Sequence, residues 1–202
     1  TKSGNYDSAL TDLFKGLEIF EMLEDQEQQG HCLLNIGNVY LKMGDNDKTL
    51  AFYQKALERY ETIGYEEGIA SVTGNLGVIH RRKEEYDLAL KYIKQSLAAN
   101  KILNRKANER IDLHNIGTIY FKLEDYELAR KYFERAKELA AEIDSKRGLV
   151  YAYHSLAVVE ANQDKFDEAF KNLDSALVLA VSAGMKNNIK DIYKSYSYNY
   201  ED

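Results

Sequence analysis

The stretch Leu34-Asn35-Ile36-Gly37-Asn38-Val39-Tyr40 returns along the chain at a constant distance. It recurs as Gly74-Asn75-Leu76-Gly77-Val78-Ile79-His80 and as His114-Asn115-Ile116-Gly117-Thr118-Ile119-Tyr120, each copy beginning 40 residues after the last. Weaker copies begin at His154 and Lys194. Because a period of about 20–50 residues is the signature of stacked repeats, this pattern predicts a solenoid.

The composition supports a helical chain and argues against some classes of partner. The chain is 45% apolar and contains no proline, a residue that costs a helix interior about 3 kcal/mol. Its 27 basic and 33 acidic residues give a net charge of −6, which argues against nucleic-acid binding. No apolar run approaches the roughly 20 residues of a membrane span, so we predict no membrane insertion within this chain. The single cysteine, Cys32, allows no intrachain disulfide and favours a reducing, cytoplasmic compartment over the alternative of an extracytoplasmic sensor domain.

Apolar residues recur at spacings of three and four throughout the chain, which predicts an all-α fold. We predict an orphan second helix over 5–23, helix pairs over 29–63, 69–103, 109–143 and 149–183, and an orphan first helix over 188–202. No break interrupts the period, so residues 1–202 read as a single array. Two turn columns separate the helices, one at Gly44 and its equivalents and one at Gly64, Asn104, Asp144 and Gly184, residues that tolerate a left-handed helix end.

Small residues occupy fixed columns of the repeat. One column contains glycine in three copies, although glycine costs a helix up to about 1 kcal/mol relative to alanine. It reads Gly37, Gly77, Gly117, Ala157 and Ser197. Two further small columns begin at Ala9 and Gly16, while Tyr53, Ile93, Phe133 and Leu173 form a column of large residues. We expect the small residues to allow close approach of paired helices.

These columns resemble the tetratricopeptide repeat, which places Leu/Ile-Gly-x-x-Tyr in its first helix and Ala, an aromatic residue and Ala in its second. The resemblance covers essentially the whole chain. It departs from the common form in lacking the helix-ending proline and in carrying six extra residues per unit. The 40-residue variety is similar to that of spindle-orientation adaptors, kinesin light chains, bacterial peptide receptors and sensory domains of bacterial kinases and regulators. The resemblance implies a right-handed superhelical α-solenoid of antiparallel helix pairs, with first helices lining a concave groove.

In several such relatives an asparagine before the Leu-Gly pair holds the backbone of an extended peptide. The corresponding column, named here the Asn column, reads Asn35, Asn75, Asn115, Ser155 and Ser195. An asparagine amide both donates and accepts hydrogen bonds, so it can pair with a peptide unit. Asparagine is a poor helix former, and its recurrence needs a reason. The alternative is that these side chains bond within the scaffold.

Flanking positions on the same helix face are further candidates for the groove, namely His31, Asn38, Lys42, Arg82 and Lys122. The last three form a basic column that could steer an acidic segment. Cations near a helix C-terminus also complement the helix dipole, and we favour that role while keeping the three as candidates.

Catalysis and metal binding are not predicted. The four histidines include no His-x-x-x-His pair, and no glycine-rich phosphate loop follows a strand. We therefore expect no enzyme activity and no cofactor. The predicted function is a protein-interaction scaffold that binds an extended peptide or helix in its groove. The alternative is a sensory or regulatory domain of a larger signalling protein.

The ends of the sequence suggest a piece of a longer array. Residues 4–7 match the turn inside a repeat, and residues 200–202 approach the next turn. The last helix keeps the internal apolar pattern, although it could itself be the cap. Repeat proteins close their ends with polar faces, so uncapped ends predict self-association.

Overall fold

The structure is a computed structural model that describes the backbone of residues 2–200 and the side chains of residues 5–197. Over these residues the chain forms ten α-helices and no strand, which confirms the all-α prediction. The helices are α1 (Lys2–Met22), α2 (Gln26–Met43), α3 (Asn46–Ile63), α4 (Glu66–Arg82), α5 (Tyr86–Ile102), α6 (Lys106–Lys122), α7 (Tyr126–Glu142), α8 (Lys146–Ala161), α9 (Phe166–Ser182) and α10 (Lys186–Tyr200).

The sequence predicts two turns near its ends, at residues 4–7 and around residues 200–202. Helix α1 already runs through residues 4–7, so the turn expected there is wrong, because no described segment folds the chain back at that point. The turn expected around residues 200–202 falls on Glu201 and Asp202, which lie outside the described residues.

The chain divides into two compact units, named here unit 1 (residues 1–104) and unit 2 (residues 105–202). Unit 1 contains the helix pairs α2–α3 and α4–α5, and α1 packs on α2. Unit 2 contains the pairs α6–α7 and α8–α9, and α10 packs on α9 and α8. The single array predicted over residues 1–202 stays a prediction.

The even-numbered helices, α2 to α10, are named here first helices, and the odd-numbered ones second helices. Within unit 1 the first helices α2 and α4 approach each other, as do α6 and α8, and α8 and α10, within unit 2. No such approach joins the second helices α3 and α5, or α7 and α9, in the described chain. The first helices therefore lie on the inner side of each unit.

Every turn between helices contains one residue with a left-handed backbone. These residues recur every 20 positions: Glu24, Gly44, Gly64, Glu84, Asn104, Glu124, Asp144, Asp164 and Gly184, with φ between 50° and 82°. Both predicted turn columns are confirmed. Only three of the nine positions hold glycine, so most turns accept a conformation that residues with a Cβ adopt rarely. The strict spacing of helix ends is what keeps the repeat columns aligned.

The glycine column lies against the column of large residues, as predicted. A Cβ added at Gly37 would lie 2.5 Å from Tyr53 Cδ1, and one at Gly77 would lie 2.3 Å from Ile93 Cγ1. At Gly117 the nearest atom would be Phe133 Cε1 at 2.7 Å. These distances are too short for a real Cβ contact, so the absence of a side chain lets the two helices of each pair pack closely.

A second contact between paired helices repeats along the chain. Tyr40 stacks on Phe52 and Tyr120 on Tyr132, each with ring centroids 5.5 Å apart. At the equivalent positions of the other pairs, His80 stacks on Tyr92, and Asn172 Nδ2 donates to a Glu160 carboxylate oxygen over 2.6 Å. In all four helix pairs, therefore, the residues at these two positions contact each other, although the type of contact changes.

Candidate functional site

The Asn column of unit 1 lies on the inner face and is solvent-exposed. Asn35 on α2 and Asn75 on α4 are both exposed, at equivalent positions of neighbouring first helices. Neither side chain forms a hydrogen bond to another group of the described chain. The amide donors and acceptors of both residues are therefore available to a ligand.

In unit 2 the same column is less exposed and changes its chemistry. Asn115 and Ser155 are half-buried, and the side chains of both lack an internal hydrogen bond among the described residues. Ser195 differs, because its Oγ lies 2.8 Å from Nε2 of His154 and 3.3 Å from the backbone oxygen of Asp191. Burial lowers the pKa of His154, with the Asp191 charge acting in the opposite sense, so the imidazole that bridges α8 to α10 is neutral near pH 7.

His31 and Asn38, two predicted groove residues, are half-buried and bonded to the scaffold. The Tyr53 hydroxyl donates to Asn38 Oδ1 over 2.6 Å, and the Tyr60 hydroxyl lies 2.9 Å from His31 Nδ1. Burial raises the pKa of Tyr53 to about 12, so its hydroxyl remains a donor at physiological pH. Both bonds tie α3 to α2, and these two side chains have less capacity left for a ligand.

The three cations of the predicted basic column are exposed. Lys42, Arg82 and Lys122 lie in the last turns of α2, α4 and α6. None of them forms an ion pair within the part of the chain that the structure describes. The position suits the helix dipole and also leaves each charge free to meet an acidic partner.

Two features of the site were missed at the level of sequence. One is the stacked column of Phe52, Tyr92 and Tyr132, whose signal is an aromatic residue 12 positions after the Tyr40 column. The other is an open cavity of about 610 Å³ at the N-terminal ends of α8 and α10, to which Arg147 and Lys186 contribute. Of its lining residues only Lys186 belongs to a basic column of the sequence, Lys106, Lys146 and Lys186, and that column does not mark the cavity because its other two members do not line it.

Other kinds of site receive little support. Among the described residues, no group of three or more His, Cys, Asp or Glu side chains is arranged to hold a metal ion. No helix of that part combines the length and apolar character of a bilayer span. Cys32 is buried, and burial raises the pKa of its thiol, so it packs as a protonated side chain.

A family model described as Tetratricopeptide repeat matches the chain over residues 1–62, 31–102, 68–142 and 109–180. The chain belongs to the tetratricopeptide repeat family. The resemblance noted from the repeat columns is thereby confirmed, and repeats of this family are protein-interaction modules as a class. No curated protein sequence matches the chain.

Several solved structures share this tetratricopeptide repeat fold. BtubC (BKLC) from P. vanneervenii is 17% identical with a TM-score of 0.72, over 95% of this chain and 84% of that one. Aspartyl phosphate phosphatase F from Bacillus subtilis is 16% identical with a TM-score of 0.83, over 98% and 53%. The STAND protein PH0952 from Pyrococcus horikoshii, which has a tetratricopeptide repeat sensor, is 20% identical with a TM-score of 0.75, over 93% and 30%. At such identities the likeness concerns the fold alone.

Proposed function

We propose that this tetratricopeptide repeat chain is a non-catalytic scaffold that holds an extended segment of a partner protein against its first helices. The observation that carries the proposal is the state of Asn35 and Asn75, which are exposed, unbonded and equivalent on neighbouring helices. An amide that serves only the scaffold would be bonded to it. An exposed amide with no internal partner instead matches the donor and acceptor of a peptide unit.

The charges of the inner face favour an acidic segment. Lys42 and Arg82 are exposed without an ion pair in the described chain, and Lys122 occupies the same position in unit 2. Because the chain as a whole carries a net charge of −6, an acidic partner would be repelled elsewhere and attracted here. Complementary charge of this kind contributes more to association rate and orientation than to affinity.

Replacement of Asn35, Asn75 and Asn115 together by alanine tests the proposal. A peptide selected from a displayed random library against the native chain serves as the ligand, and fluorescence anisotropy reports its Kd. Each lost hydrogen bond is worth about 1 kcal/mol, so we expect the triple variant to bind at least about tenfold more weakly. The melting temperature should not fall, because alanine is the better helix former.

Asn46→Ala, at an exposed site on the second helix α3, is the matched control and should leave the Kd unchanged. Unchanged binding by the triple variant would contradict the proposal. A triple variant that unfolds would instead show that the side chains of the Asn column stabilise the scaffold.

The alternative is a sensory or regulatory domain of a larger signalling protein. The specific observation in its favour is the likeness to PH0952, a multidomain ATPase that contains a tetratricopeptide repeat sensor. The match covers 30% of the PH0952 chain. Small-angle scattering with and without the selected peptide distinguishes the two functions. A sensor is expected to change its dimensions on binding, whereas a passive scaffold is not.

A further inference from the structure

The cavity of about 610 Å³ in unit 2 lies apart from the Asn column, at the start of α8 and α10. Its walls come from the first two turns of α8, the turn after α9 and the first turn of α10. They are Arg147, Tyr151, Ala183, Gly184, Met185, Lys186, Asn187 and Asn188. Two cationic side chains, one phenol and two amides therefore surround one space, and no carboxylate is among them.

Neither cation of this cavity is neutralised. Arg147 and Lys186 are both exposed, and neither forms an ion pair within residues 5–197. Some exposed cations of unit 2 are paired, such as Lys106 with Glu142 and Arg135 with Glu138, and others such as Lys122 and Lys171 are not paired within the described residues; what sets Arg147 and Lys186 apart is that both line one cavity. Two unpaired positive charges that share a concave surface attract an anion.

Helix stability does not account for these charges. A cation in the first turn of a helix opposes the helix dipole, whereas an acidic residue there is favourable. The first helices α2, α4 and α6 have acidic residues in their first turns, and α8 and α10 have none. Arg147 and Lys186 therefore occupy positions where they weaken their own helices slightly.

The backbone at the start of α10 adds further donors. Met185 precedes this helix and has no side-chain acceptor, whereas Asp25, Asp45 and Asp125 accept a backbone N–H at the starts of α2, α3 and α7. The N–H groups of Asn187 and Asn188 have no partner in the described chain. Both residues line the cavity.

We propose that this cavity binds a phosphate group carried as a dianion. A carboxylate has two oxygens and one charge, whereas a phosphate monoester presents three acceptor oxygens and a charge near −2. The guanidinium fork of Arg147, the ammonium of Lys186 and the amides of Asn187 and Asn188 match the larger number of acceptors and the double charge. Tyr151 precedes Ser155 by one helical turn, so a phosphorylated side chain of a bound segment could reach the cavity.

The test is an NMR titration of the ¹⁵N-labelled chain at constant ionic strength. Inorganic phosphate is the first probe, N-acetyl-O-phosphoserine amide the second, and acetate the third. We expect both phosphates to shift the backbone amides of Asn187 and Asn188 and the Arg147 Nε–H signal, and acetate to shift them much less. The tighter of the two phosphate probes identifies a free phosphate or a modified side chain as the source.

Arg147→Gln combined with Lys186→Gln should weaken phosphate binding about tenfold or more, because two charge-assisted contacts are lost. Lys171→Gln, at an exposed cation of α9, is the matched control and should bind like the native chain. The double variant should melt no lower than the native chain, since the removed cations oppose the helix dipole. Equal shifts with acetate, or unchanged phosphate binding by the double variant, would overturn the proposal. The Asn column is untouched in this experiment, so its result is independent of the peptide-binding test.

Discussion

The two units pack different side chains against the same glycine position of the repeat. In unit 1 the fully buried ring of Tyr60 lies between Gly30 and Gly68, where an added Cβ would come within 2.4 Å and 2.5 Å of the ring. In unit 2 the equivalent of Tyr60 is Ala140, the equivalent of Gly30 is Arg110, and the glycine is kept at 148. There the Arg110 side chain packs over Gly148, with its Cδ 2.9 Å from the position that a Cβ would take. In both units a large side chain therefore fills the space beside this glycine, but it comes from a second helix in unit 1 and from a first helix in unit 2.

The two arrangements differ in whether the polar atom of the large side chain has a hydrogen-bond partner. The Tyr60 hydroxyl is bonded to His31. The Arg110 Nε is buried without a hydrogen-bond partner in the described chain, and burial lowers the pKa of this guanidinium. A buried polar group that lacks a partner costs free energy, so the packing of unit 2 at this position is the weaker of the two.

The largest effect is expected from Tyr60→Ala. Loss of a fully buried aromatic ring between two glycines leaves a cavity that the neighbouring helix backbones cannot fill. We expect a loss of about 3–5 kcal/mol in the free energy of unfolding, measured by urea denaturation and far-UV circular dichroism. Arg110→Ala in unit 2 should cost no more than about 1 kcal/mol, because it also removes the unsatisfied Nε. Equal losses would mean that both units depend on this contact to the same degree.

The next effect concerns the glycines themselves. In Gly68→Ala the new methyl group meets the Tyr60 ring, and Gly30, whose added Cβ would lie 2.4 Å from the same ring, limits how far the ring can move. We expect a loss of about 1–3 kcal/mol. In Gly148→Ala the methyl group meets the flexible Arg110 chain and the Ala140 methyl, each at 2.9 Å. The gain in helix propensity offsets part of that strain, so the loss should be below about 1 kcal/mol.

Amide hydrogen exchange is the measurement for this glycine pair, because it assigns each loss to its own unit. Gly44→Ala is unsuitable as a control, since Gly44 has a left-handed backbone. A Gly148→Ala variant as unstable as Gly68→Ala would show that the Arg110 side chain is as rigidly held as the Tyr60 ring.

The glycine column was predictable from the sequence, whereas the Arg110 contact was not. Gly77 faces Ile93 within one helix pair, 16 residues apart, so the repeat period alone aligns their columns. The turn columns were predictable for the same reason. Arg110 on α6 contacts Gly148 on α8, in the next repeat. No periodic pattern of the sequence predicts that an arginine takes the place of a tyrosine ring there.

The site shows the same limit of sequence reasoning. The exposure of Asn35 and Asn75 follows from the helix face, which the apolar pattern reveals. The internal bonds of His31 and Asn38 depend on the length and direction of the Tyr60 and Tyr53 side chains. The bond between His154 and Ser195 joins two different residue types that are 41 positions apart, and only the packing of α10 on α8 brings them together.

The pH dependence of stability should differ between the units. Burial lowers the folded-state pKa of His154 below its ordinary 6.5, so the unfolded chain binds more protons just below that pH. The stability of unit 2 should therefore fall as the pH decreases through 6.5. In unit 1, hydrogen bonds from His80 and Lys83 lower the pKa of Glu85 below its ordinary 4.5, and that contribution is present above 4.5 and lost in more acidic solution.

Hydrogen exchange of α8 and α10 between pH 7 and pH 5.5 checks the first of these windows. His154→Gln should flatten the response of unit 2 over this range while leaving the exchange of unit 1 unchanged. A native chain in which both units lose protection together would assign the pH response to other groups.

The smallest effect concerns the charges at the starts of the first helices. Helix α4 begins with Glu66 and Glu67, whereas α10 begins with Lys186, and the helix dipole favours only the first arrangement. Lys186→Glu should raise the free energy of unfolding by about 0.3–1 kcal/mol at low ionic strength, and Glu66→Lys should lower it by a similar amount. Both changes should shrink as salt is added, because the groups are near solvent and the interaction is screened. Lys171→Glu, in the second turn of α9, controls for the change in net charge and should have less effect. If Lys186→Glu destabilised the chain, Lys186 would have a structural role that offsets the dipole, and its charge would no longer point to a ligand.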